Sequence, residues 1–283
     1  MKPPRFVYDD PQIVEEAIGL LSEHGDDAKV LAGGQSLVPL LNFRLARPRR
    51  LVDVNRIGAL AELRRRAGAL RIGAVVRTAT LERSRLAAAH WPLLVEASRL
   101  VGHPQIRTRG TVGGAAAHAD PAAELPVAFA ALDARFRIRS SRGERVLAAD
   151  DFFVGPLTTA LAPDELLVEI EVPALPRRTG CAFVEYARRH GDFPLAGAAA
   201  TMTVTDAGEC SRARIALLAA GPTPIRATAA ERSLEGRRID EQAARDAGER
   251  AAAAAAPAGD RAHRRALLRA LVRTAVLTAA ERA

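Results

Sequence analysis

Two short glycine loops carry the chemistry that this sequence offers. The first is Val30-Leu31-Ala32-Gly33-Gly34-Gln35-Ser36-Leu37; the second is Thr111-Val112-Gly113-Gly114-Ala115, preceded by Arg107 and Arg109. Each sets two adjacent glycines beside a hydroxyl side chain. Glycine reaches positive φ and lets a ligand approach the main chain. Successive N–H groups can then converge into a nest for an anion. The first loop leads into a helix start, which favours phosphate, and two such loops suit a ligand with two linked phosphates. The plainer alternative stands beside this one. A Gly-Gly pair is a common turn signal, and Ser36 and Thr111 also suit turns or helix caps. Asp120 reads as an N-cap, His118 as a loop histidine, and Glu124 is favourable at a positive helix end without any ligand.

The elements that must position these loops follow from the pattern. Asp10-Pro11 is expected to open a helix, with an acidic N-cap and proline at the first helical position. Its apolar stripe is Ile13, Val14, Ala17, Ile18 and Leu21. Lys29-Val30-Leu31 is a strand, 37–45 a second helix ending near Pro48, and 51–54 a strand, so a small βαβ unit fits residues 1–55. Leu70 to Val76 is expected as a strand with Thr78 as the N-cap that follows, then helices over 78–89 and 92–101. Asp120-Pro121 is expected to open a helix running to about Leu132, and strands fit 133–139, 144–147 and 166–172. The pattern changes after Pro173 and Pro176. Strands fit 181–188, 196–205 and 212–219, and helices 224–234, 240–255 and 260–282. The expected division is 1–55, 56–175 and 176–283.

Composition excludes several classes. With 48% hydrophobic and 26% charged residues, the chain is globular rather than disordered. No apolar run approaches the ~20 residues of a membrane span. The start, MKPPRFVYDDPQ, lacks the apolar stretch of a secretory signal. Two cysteines, Cys181 and Cys210, are too few for a disulfide scaffold, a Cys₄ zinc site or an iron–sulfur cluster held by this chain alone. A cytoplasmic location, in which both remain thiols, is expected. The six histidines show no metal-ligand spacing. The net charge of +8 comes from arginines scattered along the chain, with 4% aromatics. Nucleic-acid binding would cluster the charge and interleave aromatics, so it is not expected. There is no G-x-G-x-x-G, Walker A, G-x-S-x-G or H-E-x-x-H motif.

AGGQSLVPLLNFRLARP at 32–48, IRTRGTVGGAAAHADPAAELP at 106–126 and EYARRHGDFPLAGAAA at 185–200 resemble, in order and spacing, the FAD-binding medium subunit of the molybdenum hydroxylases. This is the xanthine dehydrogenase and aerobic carbon monoxide dehydrogenase family. The resemblance implies an α+β architecture: a two-subdomain FAD-binding fold of the vanillyl-alcohol-oxidase (PCMH) type, followed by a C-terminal three-stranded sheet with a helix bundle.

It also implies site residues. Val30 to Leu37 would wrap the FAD pyrophosphate from one side and Thr111 to Ala115 from the other. Glu124 falls where an acid suits a ribose hydroxyl, and Val101 and Leu167 match apolar positions lining the cofactor. Neither a catalytic acid or base nor a metal site is expected in this chain. The implied partners are a large molybdopterin subunit and a small subunit with two [2Fe–2S] clusters, assembled as a dimer of heterotrimers. Electrons would pass from the clusters to FAD and on to a quinone, NAD or oxygen. The sequence departs from the family pattern twice: Ala115 stands where asparagine is usual, and Val184-Glu185 where a lysine is common. A stand-alone flavin oxidoreductase, or an assembly subunit that has lost FAD, are the alternatives.

Overall fold

The structure, a computed structural model, describes residues 2–283. The N-terminal elements are β1 (Val7–Asp9), α1 (Val14–His24), β2 (Ala28–Leu31), α2 (Leu37–Asn42) and β3 (Arg50–Asp53). They form a parallel sheet with β3 between β1 and β2. Parallel neighbours need crossovers, which the helices supply. Val14, Ala17, Ile18 and Leu21 of α1 pack into a core completed by Val75, Leu166 and Val168 from farther along the chain. Helix α1 starts at Val14 and not at Asp10. The Asp10 carboxylate is engaged by Arg56 at 2.7 Å, while Glu16 accepts the Gln12 amide at 2.8 Å. Helix α2 stops at Asn42, short of Leu45, because Arg44 turns left-handed (φ 56°).

The middle of the chain supplies β4 (Leu63–Arg66), β5 (Ala69–Gly73), α3 (Thr78–Glu82), α4 (Arg85–His90), α5 (Pro92–Leu100), α6 (Pro104–Arg109), α7 (Val112–His118), α8 (Glu124–Ala131), β6 (Arg135–Ser140), β7 (Gly143–Ala148), α9 (Ala149–Phe152), the hairpin β8 (Phe153–Gly155) and β9 (Thr158–Thr159), and β10 (Leu166–Val172). Five of its strands make an antiparallel sheet, β4-β5-β10-β6-β7. On β10, Leu166 and Val168 serve the N-terminal core and Leu167 and Ile170 the central one. At the centre Phe136 stacks on Phe152, with ring centroids 4.1 Å apart. Trp91 is fully buried because its indole N–H finds the Pro173 carbonyl at 2.7 Å.

Local expectations shift here for identifiable reasons. The strand from Leu70 ends at Gly73, where a turn closes through Val76 N–H to Gly73 O. The helix over 78–89 divides at Ser84, whose hydroxyl accepts the Ala87 amide and starts α4. Arg77, not Thr78, occupies the cap position of α3. Asp120-Pro121 forms a turn, in which Asp120 accepts the Ala122 amide at 2.8 Å, and α8 begins only at Glu124.

The last elements are β11 (Thr179–Tyr186), β12 (Ala196–Val204), β13 (Cys210–Leu218), β14 (Ile225–Arg226), α10 (Thr228–Leu234), α11 (Glu241–Ala254) and α12 (Arg261–Glu281). The sheet is antiparallel in chain order, and the two-residue β14 makes four strands where three were expected. That extra strand occupies the stretch after Pro224, so α10 starts at Thr228. The sheet is buried on both faces. Ala182, Ala198, Ala200 and Ile215 face the helices, while Cys181, Phe183, Ala199 and Ala216 join the central core. Alanine is a weak strand former, but its small size admits close packing on both sides. Both cysteines are buried free thiols. Asp133, after α8, accepts from Arg212, Arg214 and Arg226 of this sheet and ties it to the middle of the chain. Among the described residues no helix is long and apolar enough to cross a membrane, and no group of three metal-ligating side chains converges.

Candidate functional site

The two glycine loops, far apart in sequence, meet. The first leaves β2 and enters α2. The second leaves α6 and enters α7. Gly33 lies so close to the second segment that a Cβ there would stand 2.7 Å from Arg109 O and Gly110 Cα and 3.0 Å from Thr111 N. A Cβ on Gly114 would come within 3.9 Å of the Ala32 Cβ. Gly34 holds φ +72°, a conformation L side chains rarely adopt.

The loops differ in what they leave available. The amides of Gly33, Gly34, Gln35 and Ser36 donate to no acceptor among the described residues. The Ser36 hydroxyl does not cap α2. Gln35 folds its side-chain amide onto Gly33 O at 3.2 Å. Leu31 and Val38 close the loop from within, 3.3 and 3.2 Å from where a Gly34 Cβ would stand. The second segment is otherwise committed. Thr111 is the N-cap of α7, and its hydroxyl accepts the Gly114 amide at 3.1 Å. Val112 N–H donates to Val76 O, Gly113 N–H to Ala74 O and Ala115 N–H to Thr111 O. The second Gly-Gly is therefore the first turn of a helix and not a free wrapping loop. Gly113 is required because a Cβ there would be 2.6 Å from the Ala74 backbone. What the second segment offers is a close, bare wall, and the first offers the donors. Four open amides at a helix entry, with the Arg77 cation beside them, fit the diphosphate of FAD.

The remaining expected residues lie in the cores and at element ends. Val30 and Ala115 are half-buried and pack against the cores. Val101 and Gly102 turn the chain between α5 and α6, and both carbonyls accept from buried Arg107 at 3.1 Å. Arg107 is neutralised by Glu82 at 2.8 Å, so it serves the loop and not a ligand. Leu167 points into the central core, 4% exposed. Glu124 is 7% exposed at the start of α8, and its carboxylate has no side-chain hydrogen bond among the described residues. Sequence reasoning missed Asn55 and Arg77, which tie the loops together; the only sign was an Asp53-x-Asn55 turn signal at the strand end.

Glu124 and Glu185 make an unusual pair. Burial, then the Asp120 charge, pushes the Glu124 carboxyl up to about 7. Burial, then the Glu124 charge, pushes Glu185 up to about 8. Glu185 Oε2 is buried without a partner. Both folded values lie above the unfolded one, so the folded state binds more protons between them. Stability from this pair is fully present below about pH 4.5 and is lost as pH rises through about 7 and 8. Glu185→Gln removes the upper part of that slope. Its melting temperature at pH 8.5 is expected to exceed that of the parent by at least ~2 °C, with little difference at pH 5. Parallel melting curves across this range would refute the assignment.

The family model described as "FAD binding domain in molybdopterin dehydrogenase" matches residues 4–175, and "CO dehydrogenase flavoprotein C-terminal domain" matches 181–279. The chain is 50% identical over 234 residues to the 6-hydroxypseudooxynicotine dehydrogenase complex subunit alpha of Paenarthrobacter nicotinovorans, covering 83% of this chain and 79% of that one. It is 40% identical over 253 residues to the carbon monoxide dehydrogenase medium chain of Hydrogenophaga pseudoflava, covering 89% and 88%. A solved carbon monoxide dehydrogenase from Hydrogenophaga pseudoflava superposes with a TM-score of 0.97 at 40% identity, over 100% of this chain and 99% of the other. Quinoline 2-oxidoreductase from Pseudomonas putida 86 superposes with 0.94 at 40% identity, over 99% of each. Seam, open amides and both family matches agree: the chain belongs to the FAD-binding medium subunits of the molybdenum hydroxylases, flavoprotein oxidoreductase subunits of the carbon monoxide and xanthine dehydrogenase type.

Proposed function

We propose that this chain relays electrons through FAD held across the seam between its two glycine segments. Its partners are a large molybdopterin subunit and a small [2Fe–2S] subunit, in a cytoplasmic dimer of heterotrimers. Electrons arrive from the clusters of the small subunit and leave to a quinone, NAD or oxygen. The observation that carries the reading is the apposition of Gly33 on Gly110 and Thr111 beside four uncommitted amides. FAD, when bound, supplies the exchange between single-electron carriers and a two-electron acceptor.

The chain's own residues bind and orient. The amides of Gly33 to Ser36 take the diphosphate, in charge-assisted bonds worth ~1.5–3 kcal/mol each. Thr111 to Ala115 form the opposing wall, with the Gly114 surface kept bare. Glu124 receives a ribose hydroxyl, and Val101 shapes the apolar surroundings, with Leu167 behind it in the central core. No side chain need move a proton in this role. Two buried thiols cannot hold the clusters, so those belong to the partner. Residues 1–55 and 56–175 would act as the two FAD-binding subdomains, and 176–283 as the C-terminal domain.

The test has two steps. The purified chain, incubated with FAD, is expected to retain one flavin through gel filtration; a colourless product sinks the cofactor site. Addition of a chemically reduced two-cluster [2Fe–2S] subunit is expected to bleach the flavin. Retained flavin without bleaching leaves the site standing and overturns the relay.

A further inference from the structure

The two segments are held at their separation by side chains that neither contains. Asn55 follows β3 and Arg77 precedes α3. The Asn55 side-chain N–H donates to Ala32 O at 2.8 Å, in the first segment. An Arg77 Nη1–H donates to Arg109 O at 2.6 Å, at the second. Between them, Arg77 Nη2–H donates to Asn55 Oδ1 at 2.7 Å. The result is an unbroken line from one segment to the other: Ala32 O, Asn55, Arg77, Arg109 O. Its near end is anchored in the parallel sheet. Asp53 Oδ1 accepts the Asn55 backbone amide at 2.9 Å, and Asp53 Oδ2 accepts the Tyr8 hydroxyl at 2.6 Å.

This line orients as well as spaces. In a trans peptide the carbonyl and the following N–H point in opposite directions. Drawing Ala32 O toward Asn55 therefore turns the Gly33 N–H away from the brace. Separately, the Gln35 contact to Gly33 O turns the Gly34 N–H away from the Gln35 side chain. The line also brings charge. Partial burial and then the like charge of Arg109 disfavour the Arg77 cation, while Asp53 favours it. An anionic ligand between the segments would relieve that repulsion.

Resting on the FAD reading above, we infer that Asn55 and Arg77 form a brace that sets the spacing of the two glycine segments and aims the Gly33 amide at the cofactor diphosphate. They are positioning residues, and their contribution is specific to the diphosphate part of the ligand.

The test uses the full chain stripped of flavin, with Asn55→Ala, Arg77→Ala, Arg77→Lys and the double alanine variant. Binding of FAD and of riboflavin, which lacks the diphosphate, is read from quenching of flavin fluorescence, alongside the melting temperature without flavin. Each alanine variant is expected to weaken FAD binding by about 10- to 100-fold, with the double variant far short of the product, as expected for side chains acting as one unit. Arg77→Lys reaches one acceptor and not two, so its loss should be intermediate. Riboflavin binding should change by less than about threefold. Unchanged FAD affinity overturns the brace. An equal loss for both ligands also overturns it, because that marks a general structural role. Should Arg77→Ala fail to fold, Arg77→Lys and Asn55→Asp, which keeps the acceptor for Arg77, decide by the same comparison. A parent chain that takes up no FAD sinks the cofactor reading and the brace with it; parent uptake with indifferent variants sinks the brace alone.

Discussion

Gly33→Val is expected to yield a folded chain that purifies without flavin, its affinity for FAD lowered by at least about 100-fold, or ~2.7 kcal/mol. A Cβ at this position meets Arg109 O and Gly110 Cα at 2.7 Å and Thr111 N at 3.0 Å. The second segment cannot yield. Gly110 N–H is bonded to Ile106 O at 2.7 Å, Thr78 N–H to Gly110 O at 3.0 Å, and Val112 N–H to Val76 O at 2.8 Å. The first segment must therefore retreat, and its four amides with it. Overpacking of this kind costs ~1–3 kcal/mol, less than the whole stability of a domain, so the fold survives. Gly34→Ala is the useful comparison. It pays for a positive φ but meets only the Val38 and Leu31 side chains, at 3.2 and 3.3 Å, so its flavin loss should be smaller. Visible flavin absorbance per protein, with circular dichroism to check the fold, reads both. Full flavin in Gly33→Val would show that the seam does not hold the cofactor.

The second large effect falls on stability. Gly180→Val is expected to lower the melting temperature by ~8 °C or more, corresponding to over ~4 kcal/mol. The Gly180 position on β11 faces the end of α12 at a distance that leaves no room for a side chain. A Cβ would stand 2.0 Å from Ala279 O and 2.6 Å from Ala283 N. All the nearest atoms are backbone, so no rotamer relieves the clash. Displacing α12 would also strain Arg282, which donates to Glu96 at 2.7 Å and to Cys181 O at 2.8 Å. Differential scanning calorimetry reads the change. A melting temperature within ~2 °C of the parent would mean that the helix end packs elsewhere.

Much of this organisation was legible in the residues. The stripe Val14, Ala17, Ile18 and Leu21 marked α1, and Phe136 and Ile138 alternating with arginines marked β6, because burial imposes periods of 3.6 and 2 on any chain. The shifts of element ends had local causes that pattern does not register: Asp10 taken by Arg56, Ser84 dividing two helices, Arg44 in the left-handed region. Each depends on one hydrogen bond or one dihedral, and many neighbouring registers would satisfy the same hydrophobic pattern.

The order of residues is enough to show that two glycine pairs of matched type exist, that the chain is globular, and that two cysteines cannot hold iron–sulfur clusters. Those conclusions need only composition and local order. Tertiary structure alone decided that the pairs differ in kind, one an open donor loop and the other a helix turn whose amides are spent on Val76, Ala74 and Thr111. It alone brought Gly33 onto Gly110, joined Asn55 to Arg77, and set Glu124 against Glu185. These pairings span from 22 to 77 positions of sequence. Contacts at that range are chosen by how whole sheets and helices bury their apolar faces, and no local pattern encodes them.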